Sequence, residues 1–139
     1  MKFYDEQHKQ FYEQKLKEIE ELREVNIYDK SIIYILGLCI ITRDNFENIF
    51  DLKNGITKDE ALEGEYQTED SIMITRFAIS IFNSKEYSND YDFVRQEMFK
   101  YYNSIDLFVN DYGTYFYQIL KFRFADKNIK WETYFKNIK

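Results

Sequence analysis

The chain has 139 residues and a mass of 17.1 kDa, the size of one domain. Its formal net charge is −6, with 45% hydrophobic and 32% charged residues, a balance that excludes a disordered or membrane-embedded chain. Pro is absent, and one Cys, one His and 4 Gly exclude a disulfide scaffold, a Cys/His zinc site and a glycine-rich phosphate loop.

The N-terminus, MKFYDEQHKQFYEQKL, lacks an apolar leader core and a small-residue cleavage site, so no secretory signal is expected. Apolar residues Phe11, Tyr12, Leu16, Ile19 and Leu22 recur at helical spacing, which predicts an amphipathic helix within 1–25. His8 lies on it and is read as a half-exposed surface residue, since a general base needs an orienting partner that the sequence does not supply. Asp29 is the expected cap of the next helix, which runs through SIIYILGLCII and is apolar on every side, hence central. Its run Ile32–Ile41 is about half the length a membrane span needs. Gly37 there marks a close helix crossing, and Cys39, in apolar surroundings, is an inert thiol. These features predict a soluble, cytoplasmic protein with no membrane contact.

Asp44 with Glu47, and Thr57 with Glu60, have capping-box spacing and predict two short helices, stopped by Asn54-Gly55 and by Gly64. Thr68 is the expected cap of a mostly buried helix through Ile72–Phe82. The stretch 91–109 suits helices, with a small β-hairpin as the alternative because of its aromatic content. Asp111 is expected to cap a helix through YGTYFYQILKFRF, and a last helix follows with Ile129, Trp131, Tyr134, Phe135 and Ile138 on its docking face. The expected architecture is all-α, a bundle of about six or seven helices in one domain over 1–139, with its core over 29–126 and a docked basic and aromatic helix over 127–139. The abundance of Phe and Tyr predicts that some of them stand on the surface as contact residues.

Several residue groups carry a family resemblance. They are Tyr34-Leu36-Gly37, Thr42-Arg43, Asp51-Lys53, Gly55-Ile56, Tyr66-Gln67-Thr68, Thr75-Arg76-Phe77-Ala78, Asp106-Leu107-Phe108 and Tyr115-Phe116-Tyr117. In this order, across Asp29–Asp126, the chain resembles an uncharacterised family of short proteins from Firmicutes, their phages and mobile elements. It departs from that pattern at Tyr66, where relatives carry Trp, and in Tyr87–Tyr101, which is longer here. The resemblance implies no known activity. It implies a genetic setting, that of a small accessory protein carried by invading elements.

Asp59, Glu60, Glu63, Glu65, Glu69 and Asp70, around Tyr66 and Gln67, face only Lys58 in charge. Three readings stand for this segment: a solvated face, an electrostatic docking face, or a Mg²⁺ or Ca²⁺ site. The spacing matches no ordered ligand pattern, so no metal and no cofactor is assigned. Arg43 and Arg76 are either internal ties or ligand-facing, and the EYQTED acids are the expected partners of Arg76. From Lys121 onward the balance inverts: Lys121, Arg123, Lys127, Lys130, Lys136 and Lys139 oppose only Asp126 and Glu132. Lys127, Lys130, Trp131 and Tyr134 there form a secondary basic and aromatic patch.

No nucleophile–base pair or cofactor fingerprint occurs, and the net charge opposes direct nucleic-acid binding. The expected function is a non-catalytic accessory protein, a monomer or homodimer. It would bind and occlude a larger partner with a basic surface, in the manner of an inhibitor of host defence such as an anti-CRISPR protein. The alternatives are a small carboxylate and metal enzyme, or a homodimer built on an aromatic interface.

Overall fold

Short polar side chains that take up free backbone N–H groups decide where the helices begin. The computed structural model describes residues 1–136. Helix α1 (Glu6–Glu20) starts at Asp5, whose carboxylate accepts the His8 N–H at 2.8 Å. Leu22 lies beyond its end and is exposed. Helix α2 (Ile27–Leu36) is capped by Asn26, not by Asp29. Asn26 accepts the Asp29 N–H at 2.9 Å, and the Asp29 carboxylate returns the bond at 3.0 Å. Asp29 is needed elsewhere as well. It is fully buried and takes a two-pronged ion pair from Arg23, at 2.7 and 2.8 Å.

The apolar run expected as one helix breaks after Leu36, and α3 (Ile40–Asp44) follows. The Thr42 hydroxyl donates to the Leu36 carbonyl, and Arg43 Nη1 donates to the Gly37 carbonyl at 2.8 Å. Those carbonyls would otherwise end α2 without partners. The break turns Ile40 outward, to 61% exposure, while Ile32–Leu38 stay inside. Gly37 does mark a close crossing: a Cβ there would sit 2.8 Å from the His8 ring and 2.9 Å from the Phe11 ring.

Neither of the next two capping boxes forms. Asp44 ends α3, α4 (Phe46–Ile49) has no side-chain cap, and Thr57 is drawn into a β-hairpin. In that hairpin β1 (Phe50–Asp51) pairs antiparallel with β2 (Ile56–Thr57), Phe50 opposite Thr57. Asn54-Gly55 makes its turn, with Gly55 at φ +66, where a Cβ is strained. The small hairpin therefore lies at 50–57. Residues 91–109, the alternative location, hold α6 (Asp90–Phe99) and α7 (Ser104–Phe108). Val94 and Met98 are buried four apart on α6, and an Asn103–Asp106 box starts α7.

Helix α5 (Glu69–Asn83) starts at Thr68 as expected, with Ser71 completing the box. Helix α8 (Gly113–Arg123) has no side-chain cap; Asp111 is exposed, and Asn110 accepts the Tyr112 N–H instead. Helix α9 (Trp131–Lys136) docks through Trp131 and Phe135, at 3% and 2% exposure. Ile138, expected on its docking face, lies outside the described residues, as does Lys139.

The protein is all-α with one small hairpin, and short segments such as α3 and α4 raise the helix number above that expected. Helix α2 is central. It packs most extensively on α5 and also against α1 and α8; α6 lies on α5, while α7 and α9 lie on α8. Ile32, Ile33, Ile35 and Leu36 are wholly buried, each contributing about 1.5–3 kcal/mol by transfer from water. Aromatic rings fill the rest: no Phe is exposed, and Tyr4, Tyr87 and Tyr101 are the exposed aromatics among the described residues. The expectation that some Phe and Tyr stand on the surface thus holds, among the described residues, for these three Tyr and for no Phe. Among the described residues every Phe ring is buried or half-buried, and several meet edge-on, as Phe77 and Phe116 do at 4.5 Å.

The N-terminal strap, residues 1–5, is tied to this core. Phe3 packs on His8, Tyr12 and Tyr34. Gln118 accepts the Lys2 N–H at 2.6 Å, and the Tyr34 hydroxyl and Gln118 Nε2 both donate to the Lys2 carbonyl. His8 is fully buried beneath the strap, contrary to the surface position expected. Its Nε2 donates to the Tyr34 carbonyl at 2.7 Å, and its Nδ1 accepts the Tyr4 N–H at 2.9 Å. Those partners define one neutral tautomer. Burial lowers its pKa below the usual imidazole value, outweighing the opposing pull of the Tyr34 carbonyl and Asp5.

Candidate functional site

The acidic segment connects β2 to α5. Ala61 is buried and opens a 3-10 turn, Ala61–Glu63. The Ala61 carbonyl then accepts two donors, the Tyr66 hydroxyl at 3.2 Å and Gln67 Nε2 at 3.0 Å. Gln67 Nε2 also reaches Thr75 Oγ1 at 3.2 Å, while Gln67 Oε1 accepts the Ser71 hydroxyl at 2.5 Å. Gln67 therefore clamps the connection to the first turns of α5. Gly64 makes room for the Tyr66 ring, which lies 2.1 Å from where a Cβ would be. Its φ is −64, so space, not a left-handed helix stop, is what requires glycine there.

The clamp faces inward and the carboxylates face outward. Asp59, Glu60, Glu63, Glu65, Glu69 and Asp70 are all exposed. None joins an ion pair among the described residues. Glu69 and Asp70 lie in the first turn of α5, where the helix dipole favours negative charge. The carboxylates do not converge on a point: no group of three or more His, Cys, Asp or Glu among the described residues could hold a metal ion. What the segment can do is present a fixed field of negative charge to a positive surface.

The arginines take other positions. Arg43 is half-buried and closes the end of α2 through the Gly37 carbonyl. Arg76 does not pair with the EYQTED acids. Its guanidinium lies 3.6 Å from the centre of the Tyr101 ring, beside a shallow cleft that Leu62, Asn83 and Glu97 also line. Its position on α5 turns it toward α6 and the residues that follow, and stacking on Tyr101 replaces the expected ion pair.

The secondary patch separates into two sets. Lys127 and Lys130 are exposed, with Lys127 3.9 Å from Asp126. Trp131 is buried, and Tyr134 is half-buried, donating to Asp92 and receiving the Arg95 guanidinium over its ring at 4.3 Å. The rings serve the docking of α9, so they do not interleave with the lysines on one surface.

One surface feature carried no role in the sequence reading. Val109 and Ile105 are exposed at 73% and 66%, four residues apart along α7 and its end. The signal was present in SIDLFV, whose apolar residues outnumber what one buried face of so short a helix can use.

No helix among the described residues is long and apolar enough to cross a membrane. No curated protein and no solved structure matches the chain. One family model does, and it takes in the N-terminal strap and α1, which the resemblance over Asp29–Asp126 left out, as well as most of α9. Matched in this way over residues 1–134, the chain belongs to DUF6075, a family of unknown function.

Proposed function

We propose that this protein is a non-catalytic accessory protein that binds and occludes a larger partner through the acidic segment 59–70. The observation that carries the reading is the pairing of six exposed, unpaired carboxylates with an inward hydrogen-bonded clamp at Gln67. A solvated acidic loop needs no such clamp. A docking face gains from one, because charges held in register lose less entropy on binding. The partner in this reading carries a basic surface, as a nucleic-acid-binding effector does, and the acidic segment takes the place of phosphates. The genetic setting is a phage or mobile element of Firmicutes, and the role is inhibition of host defence of the anti-CRISPR kind.

The test is capture from the host lysate with the wild-type chain and with a Glu63→Lys, Glu65→Lys, Glu69→Lys variant of unchanged thermal stability. The wild type retains a basic protein that the variant loses. Equal recovery of the same protein by both would end the reading.

A further inference from the structure

A groove runs along α7, α8 and α9. At one end Ile105, Val109, Phe108, Tyr117, Trp131 and Phe135 line about 340 Å³ of mostly apolar space. Phe108 and Tyr117 continue into a second hollow of about 450 Å³, which Lys2, Gln118 and Lys121 close. The two hollows share Phe108 and Tyr117 as lining, so the groove has a mostly apolar stretch and a basic end. Among the described residues the charged groups that line it are both lysines.

This basic end is built into the fold. The backbone of Lys2 is held in place by Gln118, which accepts its N–H at 2.6 Å, and by the Tyr34 hydroxyl. Lys121 stands on α8 with its Nζ 4.5 Å from the centre of the Tyr117 ring. The Lys2 backbone and the Lys121 ammonium are thus held beside the apolar stretch.

We propose that this groove receives an amphipathic helix of a partner protein, one with apolar side chains at helical spacing and with Asp or Glu at the end that meets Lys2 and Lys121. Charge complementarity sets the sign of the partner's end. The exposed pair Ile105 and Val109 sets its size: both line the groove and still stand largely in water, so a partner broad enough to cover them, as a helix laid along the groove is, gains their burial. The surface is separate in its residues from the acidic segment, and the inference does not rest on the function proposed above.

The test pans a library of short random peptides on the full chain. Selected peptides are then titrated by the fluorescence of Trp131, the single Trp, which lines the groove. The expected winners are amphipathic helices with an acidic end. Ile105→Glu with Val109→Glu weakens them by about tenfold or more, as loss of a central contact does. Lys2→Glu with Lys121→Glu selects basic ends instead. Both double variants change exposed side chains, and their melting temperatures confirm that they fold. Charge reversal at Glu63, Glu65 and Glu69 leaves peptide binding unchanged, so failure here is distinct from failure of the acidic-face reading. The proposal is overturned if no peptide is enriched, if winners ignore both double variants, or if they carry no acidic end. It is also overturned if dodecanoate saturates the Trp131 signal and excludes the peptides, which assigns the groove to an acyl carboxylate. Sedimentation that shows a dimer broken by Ile105→Glu with Val109→Glu assigns it to a second copy of this chain, and equally overturns it.

Discussion

His8 receives a hydrogen bond on one nitrogen and gives one from the other, both within the chain itself. A proton added at Nδ1 would face the Tyr4 N–H, donor against donor, in a site that already disfavours charge. The folded-state pKa is lowered, so the unfolded chain binds more protons just below the ordinary imidazole value of 6.5. The stability His8 contributes is complete above that value and is lost as the pH falls toward the lowered pKa. Denaturant midpoints measured across that range should fall for the wild type and stay flatter for His8→Gln; parallel curves would contradict this account. Asp29 gives a second prediction. Asp29→Ala leaves Arg23 without its buried carboxylate and removes half of the α2 capping box. A loss of about 2–4 kcal/mol in equilibrium unfolding is expected. Neither role was visible locally. His8 meets Tyr34 across 26 positions, and Asp29, read as a cap, is one whose second function appears only once Arg23 folds back.

Among the elements, α5 was the most legible, because its cap and its buried spacing agree: Thr68 begins it, and Ile74, Phe77, Ala78 and Ile81 bury. The hairpin was not legible, because strands of two residues have no periodicity to read. The boxes expected at Asp44 and Thr57 were sound local patterns that tertiary pairing overrode. The break after α2 depends on the Thr42 and Arg43 side chains finding its last carbonyls, which no single-helix pattern signals. The α1–α2 crossing is testable at Gly37. Gly37→Ala drives a methyl into the rings of His8 and Phe11 and should cost about 1–3 kcal/mol by overpacking, outweighing the gain in helix propensity. A thermal melt no lower than that of the wild type would show that the rings yield freely. The clamp at Gln67 gives the element-scale test of the acidic segment. Gln67→Leu removes bonds to Ala61, Thr75 and Ser71, so amide exchange in 60–67 should speed while α2 stays protected.

For the whole molecule, the helical spacing of the apolar residues announced an all-α chain, and the structure is all-α with one small hairpin. Of the candidate site, the acidic cluster was legible because a run of carboxylates stays exposed unless it is paired. The inward roles of Tyr66 and Gln67 were not, since they depend on a carbonyl at Ala61 and a hydroxyl at Thr75. Among the described residues Phe rings fill the interior, and aliphatic side chains at Ile105 and Val109 stand in water. The overall charge of −6 is then less informative than where it lies. The central claim is that the acidic segment steers association with a basic partner. It is tested most directly by the association rate of the captured partner as a function of ionic strength. The account predicts a rate that falls steeply with salt, and a variant with Glu63, Glu65 and Glu69 changed to Lys that associates about tenfold more slowly at low salt with a flatter dependence. An identical rate and an identical salt slope for the two proteins would contradict it.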